Sequence, residues 1–183
     1  ELVARRKDAR GLWELILDGW RIAAHALPGQ FANFRLPRHG SDPLLRRPMS
    51  IAFVAGERFG ILVQQVGVGS RILSEAPLGE TMDVLGPLGT PFAPPVPGSR
   101  VALVGGGVGV APLRFLFEAH RGDCEWEVLV GARTEDLLPF RSYFEGTGLA
   151  RFSTDDGSRG LHGNVVQLLE SRHMVRPFDR MYT

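Results

Sequence analysis

The segment Val101–Leu113, VALVGGGVGVAPL, runs from an apolar stretch into three consecutive glycines, a further glycine and a proline. The chemistry open to such a stretch is recognition by main chain. Glycine lets backbone N–H groups approach a phosphate or a flat ring with no Cβ in the way, and Pro112 suits the first turn of a helix because it has no N–H to lose. Strand, glycine turn and helix in that order aim a helix N-terminus beyond the strand end, where anions are favoured. The G-x-G-x-x-G dinucleotide fingerprint is nonetheless absent: counted from Gly105 its last position is Val110, and counted from Gly107 it is Pro112. A lone glycine loop is equally a tight turn, so its weight depends on what accompanies it.

Four other stretches carry chemistry of the same kind. LRRPMSI (Leu45–Ile51) sets two arginines, a proline and a hydroxyl in a row. Arg47 offers a planar fork of donors suited to phosphate, Pro48 restricts the residue before it to extended backbone, and Ser50 has a hydroxyl for a ring nitrogen. QVGVGSRI carries Gly67, Gly69 and Ser70, a second place where backbone N–H groups can meet a pyrophosphate. GAR (Gly131–Arg133) and TDDGSRGLHG (Thr154–Gly163) are further loops with glycine and charge. Taken singly, each is equally a surface ion pair, a hairpin turn or a helix cap.

The elements that must position these loops differ between the two halves. Up to about residue 96, short apolar runs separated by Gly and Pro (LWELIL, RIAAHAL, QFANFRL, MSIAFVA, RFGILVQQV, ETMDVLG) predict an antiparallel β-barrel or sandwich. PFAPPVPGSR supports neither helix nor strand and reads as a linker, dividing the chain into 1–97 and 98–183. Beyond it, RVALVGG, EWEVLVGAR, ARFSTDD and the start DRMYT read as strands. APLRFLFEAHR, a broken LLPFRSYFEG and GNVVQLLESRH between them read as helices, so an α/β parallel sheet is predicted. Ligands of such sheets bind beyond the carboxyl ends of the strands, the edge onto which GGGVGVAP, GAR and TDDGSRGLHG all open.

Composition narrows the classes. With 44% hydrophobic residues, a buried core is expected. Twenty-one basic against 20 acidic residues leave a formal charge of +1, too little to steer nucleic acid or an anionic membrane. No apolar run approaches the roughly 20 residues of a membrane span, and the chain reads as cytoplasmic. Cys124 stands alone, and His25, His39, His120, His162 and His173 show no zinc-ligand spacing.

In order and with suitable gaps, PGQF (Pro28–Phe31), RPMS (Arg47–Ser50), GVGS (Gly67–Ser70), GETMDVLGPLGTPF (Gly79–Phe92) and GGGVGVAPL (Gly105–Leu113) resemble the motifs of the ferredoxin reductase superfamily. TDDGSRGLHGNV (Thr154–Val165) narrows the resemblance to electron-transfer subunits of dihydroorotate dehydrogenase, iron–sulfur flavoproteins of pyrimidine biosynthesis. The resemblance implies an FAD-binding antiparallel barrel followed by an NAD-binding α/β domain. Arg47 would then contact the FAD pyrophosphate, Pro48 and Met49 line the flavin, and Ser50 lie near its reactive nitrogen. Leu62, Val63 and Gln64 would also line FAD, with Gly69 and Ser70 at its phosphates. Gly107, Val108, Gly109, Ala111 and Pro112 would face the nicotinamide and pyrophosphate of NAD(H), with Asp155, Asp156, Gly157 and Ser158 on the same edge. Asp155 and Asp156 would repel a 2′-phosphate and favour NADH, partly offset by Arg133, Arg151 and Arg159.

The implied activity is oxidation of NADH, with hydride passing to FAD and electrons onward through a [2Fe-2S] cluster to an FMN-bearing dihydroorotate dehydrogenase catalytic subunit. Hydride transfer between nicotinamide and flavin needs no acid, base or nucleophile from the protein, only orientation and exclusion of water. The four cluster cysteines of this family follow the NAD domain; with Glu1 in place of Met and a stop at DRMYT, they are expected beyond Thr183, the alternative being a variant without a cluster. Two other functions share the motifs: a stand-alone reductase serving ferredoxin, flavodoxin or an oxygenase, and a non-catalytic nucleotide-binding module.

Overall fold

The computed structural model describes residues 1–36 and 45–183; His39 lies outside the described residues. In the first half, β1 (Leu2–Ala9), β2 (Leu12–Asp18), α1 (Trp20–Ala23), β3 (Phe31–Arg35), β4 (Arg47–Ala55), β5 (Arg58–Gln64), α2 (Val68–Glu75) and β6 (Asp83–Leu88) follow one another. The strands lie in the order β1-β2-β5-β4-β3-β6, all neighbours antiparallel. The two edges meet near the start of the chain, where the Leu2 N–H donates to Glu80 O at 2.9 Å and Leu2 O accepts from the Gly79 N–H at 2.8 Å. The sheet therefore curls into the barrel that the short apolar runs predict.

Strand alternation fills that barrel. Phe59, Ile61 and Val63 on β5 point inward with Leu15, Leu17, Phe34 and Ile51, while Leu62 faces the other way. Between Ile51 and Phe53 the pairing of β4 with β5 slips by one residue, a bulge, and both Ala52 and Phe53 join Leu62 outside the barrel. Two local expectations change. RIAAHAL forms the short helix α1 instead of a strand, and the glycine turn at Gly67 leads directly into α2.

The second half is a parallel sheet. Its elements are β7 (Arg100–Gly106), α3 (Val110–Ala119), β8 (Glu125–Ala132), α4 (Arg141–Glu145), β9 (Ala150–Thr154), β10 (Leu161–His162), α5 (Val165–Val175) and β11 (Arg180–Tyr182), with strand order β10-β9-β8-β7-β11. Val101 and Leu103 of β7 face α3, and Ala102 and Val104 face α5, so helices cover both faces. The strand order reverses beside β7, and the crevice beyond its carboxyl end is where such sheets take ligands. The GGGVG loop leaves β7 at that point.

Helix α3 joins the halves. Leu113, Leu116 and Phe117 pack on the parallel sheet and on Leu12, Ala52, Phe53 and Leu62 from the outer face of the barrel, while Phe115 reaches the barrel core. A helix covered on two sides needs apolar residues nearly all round, and Val110, Ala111, Leu113, Phe115, Leu116 and Phe117 are all buried. Phe117 sits edge-on to both Trp126 (5.8 Å between centroids) and Phe144 (6.2 Å) and is fully buried. Phe117→Ala is therefore expected to destabilise the protein by about 3–5 kcal/mol, read as a lowered denaturant midpoint.

Candidate functional site

A cleft of about 470 Å³ opens where the end of the barrel meets the GGGVG loop, lined by Arg47, Met49, Ser50, Leu62, Gln64, Val66, Gly67, Val68, Gly69, Ser70, Val108 and Gly109. Nine of the residues that the resemblance assigns to the cofactors are thus brought together. Arg47, Met49 and Ser50 reach it from the first residues of β4, and Leu62 and Gln64 from alternate positions at the end of β5. Val63 lies between the latter two, so its side chain turns into the barrel core and only its main chain is left to the cleft side. Pro48 alternates with Arg47 and Met49 and is exposed away from the cleft, while Gly107, Ala111 and Pro112 are not part of its lining. Ala111 instead packs in the core under α3.

Arg46 and Arg47 part company. Arg46 pairs with Asp83 at 2.8 Å and donates to Asn33 O at 3.3 Å, tying β3 to β6. Its hydrogen bond holds the Asp83 carboxyl below the usual carboxylate range. Arg47 donates through Nη1 to Leu45 O at 2.9 Å, and among the described residues no carboxylate pairs with it. Its guanidinium lies across Gly69: a Cβ on Gly69 would come within 2.7 Å of Arg47 Nε. Arg47 is held there only because that residue has no side chain.

Ser70 has a different role from a direct anion contact. Its Oγ accepts from the N–H groups of Val66 (2.9 Å) and Gly67 (3.1 Å) and is 3.1 Å from Gly67 O, to which it donates. The hydroxyl is therefore spent on shaping the turn, and that turn directs the first N–H groups of α2 towards the cleft beside Arg47. Backbone donors at a helix N-terminus with a guanidinium beside them form an anion site.

The four glycines of the β7 loop divide their tasks. A Cβ on Gly106 would meet Gly131 O of β8 at 2.7 Å, and one on Gly105 would meet Leu113 at 2.9 Å, so both are demanded by packing. Gly107 has φ +53°, the left-handed region that glycine adopts without strain. Gly109 has open space where its side chain would stand, and that space is the cleft.

A second cleft, of about 590 Å³, lies on the same sheet edge, lined by Asp8, Ala9 and Arg10 of the β1–β2 hairpin and by Thr134, Glu135, Asp136, Leu138, Arg141, Ser142, Asp156 and Ser158. Asp156 and Ser158 line it; Asp155 is exposed and Gly157 faces His162. Asp156 Oδ1 accepts from the Ser158 N–H (3.0 Å) and hydroxyl (2.6 Å), and Ser158 Oγ accepts from the Glu135 N–H at 2.9 Å. These bonds, the hydroxyl first, hold the Asp156 carboxyl below its ordinary range. Arg10 pairs with Asp136 at 3.0 Å and Arg141 with Glu135, which cancels four of the six charges and leaves the two aspartates Asp8 and Asp156. The offsetting arginines considered from sequence do not line this cleft: Arg159 pairs with Glu145 at 2.5 Å, and Arg133 and Arg151 are exposed. Helix α5 is capped by Asn164, not by Asp155 or Asp156.

The chain is 41% identical over 161 residues to the electron transfer subunit of dihydroorotate dehydrogenase B (NAD(+)) of Desulforamulus reducens, covering 86% of this chain and 61% of that one. It is 37% identical over 188 residues to the subunit of the same description from Bacillus caldolyticus, covering 99% and 71%. The chain belongs to this family. It spans between 61% and 71% of the length of these two relatives. Among solved structures, an NADH-dependent reduced ferredoxin-NADP oxidoreductase superposes with TM-score 0.85 at 30% identity, over 99% of this chain and 65% of that one. The ferredoxin reductase of carbazole 1,9a-dioxygenase shares the fold, with TM-score 0.81 at 22% identity over 99% of this chain and 59% of that one. No family model matches the chain. The resemblance read from six ordered motifs and the two-part fold both stand.

Asp8 gives the second cleft a pH dependence. Burial pushes its carboxyl above the ordinary value of 3.8, against the opposing bond from the Phe140 N–H, 2.7 Å from Oδ2. A raised folded-state pKa contributes stability that is full below 3.8 and is lost as pH rises through the folded value. Asp8→Asn keeps an acceptor for Phe140 and removes the ionisation. Relative to the parent it should gain stability as pH rises above about 3.8 and hold that gain at neutral pH, measured by denaturant unfolding across pH.

Proposed function

We propose that this protein is a cytoplasmic flavoprotein that binds FAD in the 470 Å³ cleft, takes a hydride from NADH bound along the same edge, and delivers electrons to a dehydrogenase catalytic subunit. The observation that carries this reading is the cleft itself. Arg47, Met49, Ser50, Leu62, Gln64, Gly69 and Ser70 of the barrel face Val108 and Gly109 of the parallel-sheet half across one space.

The residues present fit FAD. Arg47 and the N–H groups at the start of α2 would hold its pyrophosphate, and the absence of a Cβ at Gly69 keeps the guanidinium in place for it. Ser50 would donate to a ring nitrogen, Met49 would lay a polarisable thioether by the ring, and the main chain of Val63 would lie beside it. When bound, the flavin supplies an acceptor for hydride from the nicotinamide. The chain's part is to orient two flat rings and keep water out: Val108 and Gly109 make a low wall that a nicotinamide can approach closely, and no acid or base is required.

The 590 Å³ cleft suits the adenosine end of NADH. Its uncancelled carboxylate Asp156 disfavours a 2′-phosphate, supporting NADH over NADPH. The [2Fe-2S] cluster does not fit these residues: the sequence has one cysteine, Cys124, half-buried with Sγ 3.4 Å from Val96 O. The acceptor proposed is the dihydroorotate dehydrogenase catalytic subunit, supported by the family's description. A second reading, a reductase serving ferredoxin, is supported by the 30% identical oxidoreductase.

The test is anaerobic addition of NADH to FAD-loaded protein. Loss of the oxidised-flavin absorption is expected, and its persistence would sink the reading; transfer from the reduced protein to either acceptor separates the two. Arg47→Ala should raise the FAD Kd roughly 10- to 150-fold, the 1.5–3 kcal/mol typical of a charged hydrogen bond. Gly109→Val should fold normally, because nothing among the described residues lies within 4 Å of the new Cβ, yet with FAD bound be reduced by NADH more slowly. Equal reduction rates would place the nicotinamide elsewhere.

A further inference from the structure

We propose that Arg114 is a positioning residue for hydride transfer, clamping the element that carries the flavin wall to the element that carries the nicotinamide wall. The inference rests on the reading of the 470 Å³ cleft given above. Arg114 lies on α3, five residues after Gly109, and its side chain is almost wholly enclosed at the seam between the halves. Nη1 pairs with Glu14 of β2 at 2.6 Å, and Nε with Glu118 of its own helix at 2.9 Å. The guanidinium also sits over three rings: Phe53 of β4 at 4.5 Å, Phe140 at 4.6 Å and Tyr143 of α4 at 4.2 Å. No other described cation touches so many partners from both halves.

Two of these partners, Phe53 and Phe140, lead towards a cleft. Phe53 stands three residues beyond Ser50 on the same strand and lies flat on Gly60, where a Cβ would overlap the ring at 1.9 Å. Phe140 has φ +50°, a left-handed conformation that a bulky residue adopts only when its surroundings impose it. It is imposed here by Asp8 on its N–H and by Arg114 on its ring. Ser142 and Arg141 beside it line the second cleft. The distance along α3 from Arg114 back to Gly109 is about 7.5 Å, so a shift of the side chain's anchor is transmitted to the loop by a short rigid rod.

A guanidinium surrounded in this way is a poor source of stability and a good source of geometry. Replacing a buried ion pair by apolar residues of similar volume is often neutral for stability. An apolar side chain fills the space but has no planar fork to fix its direction against Glu14, Glu118 and three rings. Misplacement of reacting groups by about 1 Å is enough to cost on the order of 100-fold in rate. Arg114 is therefore expected to matter more for reduction of the flavin than for folding or for holding it.

The experiment uses Arg114→Met combined with Glu14→Gln, so that the more enclosed of its two carboxylate partners is not left orphaned while Glu118 keeps access to water, and Arg114→Lys alone, which keeps the charge and loses the fork. Four quantities are read: thermal midpoint, FAD Kd, flavin reduction rate at saturating NADH, and the long-wavelength charge-transfer absorbance formed on mixing. Amide exchange of residues 107–111 in FAD-free protein gives a readout independent of turnover. Expected are an FAD Kd within about threefold of the parent, reduction slowed roughly 10- to 100-fold in the double variant and less in Arg114→Lys, weakened charge-transfer absorbance, and faster exchange in the loop. Reduction within twofold of the parent in both variants overturns the inference, as does a slowing that only tracks lost FAD. If the parent itself is not reduced by NADH, the functional reading falls and takes this inference with it; if the parent is reduced and the variants match it, only the inference falls.

Discussion

The constraint on which the rest of the structure depends is the burial of α3 between two sheets. A helix covered on one face needs a stripe of apolar residues; this one is apolar on nearly every side, because the barrel and the parallel sheet both lean on it. The bulge in β4 makes that possible from the barrel side by turning Ala52 and Phe53 outward together. Once α3 is fixed, the loop at its N-terminus has no freedom to choose its distance from β4. The clefts are consequences of how two hydrophobic surfaces share one helix.

Polar groups then divide into those that shape and those that wait. Ser70 spends its hydroxyl on the turn before α2, Arg46 on the β3–β6 edge, and Ser158 on joining Asp156 to the turn at Glu135. Arg47 and the main chain of α2 are left facing open space. The same division holds within one glycine run: Gly105 and Gly106 are required by neighbours, Gly107 by its backbone angle, and Gly109 by nothing among the described residues.

Much of this was legible in the sequence because the signals are local. The apolar runs with Gly and Pro breakers read as β strands, the alternation after Pro97 read as a parallel sheet, and six motifs in order read as the family. What was missed depends on long-range geometry. Leu2–Ala9, with Arg5, Arg6 and Lys7 exposed, has no apolar alternation to mark it as β1, and is a strand because β2 pairs with it. Trp20–Ala23 looks apolar enough for a strand, yet follows Gly19, which is packed against Phe59 and turns the chain. Val63 was grouped with Leu62 and Gln64 by adjacency, where strand alternation separates them. Arg10, Glu135, Asp136 and Arg141 carried no motif, and only the meeting of a barrel hairpin with two loops of the other half makes them neighbours.

That meeting has a thermodynamic side. Arg10 is bound to Asp136 twice, through its side chain at 3.0 Å and through its N–H to Asp136 O at 2.8 Å, and these bonds close one wall of the second cleft. A molecule lodged there touches both halves at once, so it binds the joined arrangement and not a parted one. Its binding free energy is thereby added to the cohesion of the two halves. By reciprocity, whatever tightens the seam, including occupation of the first cleft, improves the fit of the second. Two clefts that share no lining residue would, once occupied, be coupled through the join they both straddle.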